Sequence, residues 1–112
     1  MQKWEYCRLH HYQITDKKSL PDENHFELDF VHNKITIDYA PNYFTQEEAT
    51  KKTKEIQENL PGFDSSKIFI KENNGYKIEN LQLEILDYLG KLGWEMAGVI
   101  FGVIYFKRQI DA

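Results

Sequence analysis

Between residues 26 and 39 apolar and polar side chains alternate: Phe26, Leu28, Phe30, then Ile35, Ile37, Tyr39, with His32-Asn33 between the two runs. A period of two sends every second side chain to the same face of a strand, so this stretch can bury its apolar residues only as a β-hairpin laid against another layer. A two-residue turn at His32-Asn33 predicts the pairs Phe30–Ile35, Leu28–Ile37 and Phe26–Tyr39, all six on one face. In that register Glu27 lies opposite Asp38, with His25 and Asp29 on the same polar face, and like charges meet. One imidazole and three carboxylates make His25, Glu27, Asp29 and Asp38 candidate ligands for a divalent ion. The plainer expectation, a solvated acidic face with no metal, is the one adopted.

The rest of the chain supplies the second layer and more strands. Thr45-Gln46-Glu47-Glu48 is a capping box, and Ala49, Thr53, Ile56 and Leu60 follow on one helical stripe until Pro61-Gly62 stops it. Leu81, Ile85, Tyr88, Leu89 and Leu92, with Leu86 beside them, form a broader stripe, and Gly93 stands where a left-handed helix end is wanted. Lys67 to Glu72 reads as a short strand turning at Asn74-Gly75 into Tyr76-Lys77-Ile78.

Lys3 to Gln13 reads as a strand with two mixed faces, Trp4, Tyr6, Arg8, His10, Tyr12 on one and Glu5, Cys7, Leu9, His11 on the other, leaving its core side open. Trp94 to Ile100 and Val103 to Gln109 form a last hairpin turning at Phe101-Gly102, with Glu95 facing Arg108, Ala97 facing Phe106 and Val99 facing Ile104, unless a bulge at Gly98 shifts the pairing. That hairpin is apolar on both sides, with Trp94, Met96, Ile100, Val103 and Tyr105 on one. Such a strand pair is either central in a covered sheet or covered by another subunit.

These elements predict an α+β fold: a mainly antiparallel sheet of about four to six strands with two helices packed on one face. A chain of 112 residues is enough for one core, and seven Phe, seven Tyr and two Trp can fill it. No linker or repeat divides it, so residues 1–112 are expected to form a single domain. A single thiol, Cys7, allows no internal disulfide and no cysteine-rich zinc site. A net charge of −4 argues against nucleic acid and anionic membranes as partners. No apolar run reaches the roughly 20 residues of a membrane span, and Met1-Gln2-Lys3-Trp4-Glu5 does not open like a signal peptide, so a cytoplasmic protein is expected.

Lys3-Trp4-Glu5-Tyr6 at the start, an amphipathic helix running into Leu92-Gly93-Trp94-Glu95, and Phe106-Lys107-Arg108 at the close together resemble the small bacterial proteins grouped as domain of unknown function 4177. The resemblance covers residues 2–9 and 81–109. It implies a strand, helix and hairpin unit and a bacterial or phage origin, and carries no activity with it. This sequence departs from the pattern by a long insertion, about 16–78, and by a tighter final hairpin.

Catalytic signatures are thin. Glu5 and Glu95, each following a Trp, could act as an acid/base pair with His10, which would make the chain a small hydrolase or isomerase. Rim ion pairs, Glu95 with Arg108 and Glu5 with Lys3 or Lys107, explain the same residues more simply. Adjacent His10 and His11 point to opposite faces of a strand and cannot share one ion, and Cys7 reads as a structural thiol. No Gly-rich phosphate loop occurs and no cofactor is expected. The function expected is a non-catalytic binding or interaction module that self-associates into a homo-oligomer through an apolar sheet face formed by Trp4, Tyr6, Trp94, Met96 and Tyr105. A small-molecule-sequestering protein with an aromatic pocket is the remaining alternative.

Overall fold

The chain opens with a long strand, β1 (Lys3–Ile14), followed by β2 (Glu23–Phe30) and β3 (Lys34–Tyr39), then helix α1 (Gln46–Asn59). A 3-10 turn at Ser65–Lys67 leads into a small ribbon of β4 (Phe69–Glu72) and β5 (Gly75–Ile78), and helix α2 (Leu81–Lys91) precedes β6 (Glu95–Ile100) and β7 (Val103–Ile110). The computed structural model that shows this describes residues 3–14, 23–39 and 44–110. Gln2 of the family-like segment, and 16–22 and 40–43 of the insertion, lie outside them.

Five strands form one antiparallel sheet in the order β3-β2-β1-β7-β6, and β4 and β5 form a separate two-stranded sheet. The fold is therefore α+β and mainly antiparallel. The register explains which face is filled. Cys7 pairs with Phe30 and Phe106, Leu9 with Leu28 and Ile104, and those rows continue into Ile35 and Ile37. All these side chains share one face, where they pack with Ile56 and Leu60 from α1 and just after it, with Phe63, Ile68 and Ile78, and with Leu81, Ile85 and Leu89 of α2. Both helices thus cover the same side. Leu9, Ile85 and Leu89 are almost wholly withdrawn from water, and truncating any one to alanine would cost about 2–5 kcal/mol.

The question left open for β1 is settled by its central place. Cys7 and Leu9 face the helices, so Trp4, Tyr6, Arg8, His10 and Tyr12 face away. The side of the strand richer in aromatics lies outside the main core.

Three predicted registers differ. The first hairpin turns at Val31-His32, closed by Phe30 and Asn33, and pairs Leu28 with Ile35 and Phe26 with Ile37. An even shift leaves the apolar face intact, so burial does not choose between the two registers. Charge favours the observed one, because it sets Asp38 opposite His25 and Asp29 opposite Lys34 in place of Glu27 opposite Asp38. The β4–β5 turn uses Asn73-Asn74, with Asn73 left-handed at φ 53°, and Gly75 enters the strand. In the last hairpin an irregularity between Met96 and Gly98 puts Glu95 opposite Lys107 and Met96 opposite Phe106. The pairs beyond it, Val99–Ile104 and Ile100–Val103, are as expected. Met96 consequently leaves the face of Ile100 and Tyr105 and sits on the helix side, at the exposed sheet edge.

Candidate interaction face

Among the described residues no helix covers the second face of the five-stranded sheet. It divides into a polar half on β2 and β3 and an aromatic half on β1, β7 and β6.

The polar half is a bonded network. His25 sits between Glu27 and Asp38, its Nε2 2.9 Å from Glu27 Oε1 and its Nδ1 bonded to Asp38 Oδ1. Tyr12 donates to the same Glu27 oxygen at 3.3 Å, and Lys34 Nζ lies 3.5 Å from it. Burial works against a charged imidazole, yet the hydrogen bonds to Glu27 and Asp38 outweigh it and raise the His25 pKa above its ordinary value. His25 in turn draws Glu27 below the usual carboxylate range. Of the four candidate metal ligands, three are brought together, the His25 imidazole bonded to Glu27 and Asp38, and Asp29 goes instead to Arg8, whose Nε donates to it at 2.9 Å. Among the described residues no group of three or more His, Cys, Asp or Glu side chains has a metal-holding arrangement.

The candidate catalytic residues are not assembled. Glu5 is on the helix-side face of β1, opposite Arg108, which binds it through Nε and Nη2 at 2.5 Å each. Glu95 is two strands away on β6, opposite Lys107, and His10 is on the open face between Glu27 and Val103. Arg108 also caps the α2 end by donating to the Leu92 carbonyl at 3.0 Å and lies over the Trp94 ring, 4.4 Å from its centroid. Burial pushes the Cys7 thiol up to about 12, which keeps it protonated and inert at neutral pH.

The aromatic half holds Trp4, Tyr6, Tyr105 and Ile100. Trp4 is half-buried under the Lys107 ammonium, 4.7 Å from the ring centroid. Tyr6 is 57 % exposed and Ile100 57 %. Trp94 does not join them: it is only 6 % exposed, held between Phe30 and Arg108. Its place just after the helix end, with its N–H donating to the Leu89 carbonyl, turns the ring into the core. Tyr6, Arg8, Asp29, Phe30, Val31 and Tyr105 line a shallow groove of about 360 Å³, with Arg8 between its strand partners Asp29 and Tyr105.

The sheet edge adds further exposed apolar groups. On β6, Met96, Val99 and Ile100 are all exposed, and at the hairpin tip Phe101 is 98 % exposed. Phe101 and Gly102 both have positive φ, 50° and 77°, the type I′ geometry that Asn-Gly ordinarily supplies. A Phe-Gly turn where Asn-Gly is the norm was the available signal. No family model matches this chain, and neither does a curated protein nor a solved structure, so any functional reading rests on this face itself.

Proposed function

We propose that the protein is a non-catalytic interaction module whose uncovered sheet face, at its β6–β7 end, takes a second copy of the chain. One observation carries the reading: both helices lie on one side of the sheet, while Tyr6 and Ile100 on the open face and Phe101 at the hairpin tip are each more than half exposed, and Met96 and Val99, on the helix side of β6, are exposed at the adjoining edge. The β6 edge supports the same reading. Its only charge is Glu95 and it carries neither lysine nor proline, the usual guards against strand addition. The opposite edge, β3, carries Lys34 and Asp38.

We also propose a relationship to the domain of unknown function 4177 family, which the chain resembles at residues 2–9 and 81–109. It is supported by β1, β7 and β6 being neighbours under α2, the insertion adding β2 and β3 along the free side of β1. The enzyme reading has no comparable support, since Glu5 and His10 point to opposite faces of β1 and Glu95 lies two strands away on β6.

Light scattering over a wide concentration range tests the proposal. Mass should rise with concentration for the wild type and stay monomeric for Ile100→Lys, which sets a charge on the open face without touching the core. A wild type monomeric throughout, with its fold intact, overturns it.

A further inference from the structure

We infer that Phe101 is an anchor that seats in the Tyr6–Tyr105 groove of a second copy, an inference that rests on the self-association proposed above and names the contact that drives it. Phe101 is unfavourable twice over within its own chain. Its ring is 98 % exposed, and its backbone is left-handed at φ 50°, a region that bulky side chains seldom occupy. Asparagine or glycine would suit that turn position better on both counts. A residue that is wrong for the isolated fold at the tip of a well-formed hairpin has its reason outside that fold, and backbone strain of this kind collects at binding sites.

The receiving surface is on the same chain. The groove's walls are Tyr6, Tyr105 and the exposed Val31, with the Arg8–Asp29 ion pair beside them. Its volume, about 360 Å³, lies within the ~300–1,000 Å³ of pockets that take small organic groups. Aromatic walls and a guanidinium are the surroundings an inserted phenyl ring prefers. Gly98, opposite Tyr105 and beside the irregularity in β6, leaves the approach open: it has no side chain on that face, and a Cβ there would meet nothing within 4 Å. Anchor and groove on one chain cover each other when two copies exchange them about a two-fold axis, which closes the assembly as a dimer.

The test uses the full-length chain and two variants. Phe101→Asn should elute as a monomer where the wild type is associated, and should melt several degrees higher when both are dilute. Val31→Lys, which blocks the groove with a charge, should also be monomeric, with a native circular dichroism spectrum. An equimolar mixture of the two should regain association, because one supplies the anchor and the other the groove. Association of Phe101→Asn as strong as the wild type, or a mixture no more associated than its components, overturns the inference while leaving self-association standing. A wild type that never associates overturns both.

Discussion

A left-handed phenylalanine costs about 1–2 kcal/mol against residues that accept that conformation. Relieving that strain at Phe101 should raise the melting temperature of the dilute protein by about 4–8 °C per kcal/mol, so stability and association should move in opposite directions on Phe101→Asn. His25 makes a second residue-scale case. Its pKa is raised in the folded chain, burial opposing and Glu27 and Asp38 prevailing. Its contribution to stability is therefore complete below the ordinary histidine value, 6.5, and is lost as pH climbs through the raised folded value. Glu27 has the reverse sign: lowered chiefly by His25, it contributes above the ordinary carboxylate value and loses that contribution as pH falls through its own. The wild type should thus be most stable in weak acid, and thermal melts from pH 5 to 9 should show its melting temperature declining above about 6.5. His25→Gln should lower stability in weak acid and flatten that decline; an unchanged slope would contradict this role for His25.

At the scale of elements, short-range chemistry decided what could be read from sequence. The α1 start was legible because Thr45 and Glu48 satisfy each other's backbone N–H groups, at 3.1 Å in both directions. Thr45→Ala should cost about 0.5–2 kcal/mol in a urea melt; no loss would mean the first turn is held by its other contacts. The α2 stripe and the Phe101-Gly102 turn were legible for the same reason, periodicity and glycine being local signals. The β2–β3 register was not, because a shift of two residues keeps every apolar side chain on its face and only cross-strand charge separates the alternatives. Nor was the irregularity at Met96/Gly98, which moves Glu95 from Arg108 to Lys107 and frees Arg108 for Glu5. The core side of β1 depended on long-range pairing: its row with Phe30 and Phe106 buries Cys7 and leaves Tyr6 outside. The candidate face was therefore half legible. Trp4, Tyr6 and Tyr105 were placed on it from sequence, Trp94 was drawn inward by the end of α2, Met96 was moved to the helix side by the irregularity in β6, and Val31 emerged only once the first hairpin's turn was located.

For the whole molecule, one helical layer on one sheet makes a flat body, 55 × 31 × 20 Å, with a radius of gyration of 15.6 Å against the roughly 13 Å of a compact domain this size. Such a slab keeps much of its sheet in contact with solvent, and here that side carries both a bonded polar network and an aromatic end. The network meets its own hydrogen-bonding needs, as His25 shows by using both ring nitrogens on carboxylates. The aromatic end lacks that closure; in the proposed dimer a second copy would supply it. Among the described residues no helix is long and apolar enough to cross a membrane, so the exposed apolar groups are not part of a helical span. Amide hydrogen exchange on the wild type, dilute and concentrated, locates any self-contact directly. Concentration should slow exchange in the Val99–Tyr105 region and around Val31, leaving α1 unchanged. Equal exchange at both concentrations, or protection confined to the helical side, would contradict a second copy on the open face.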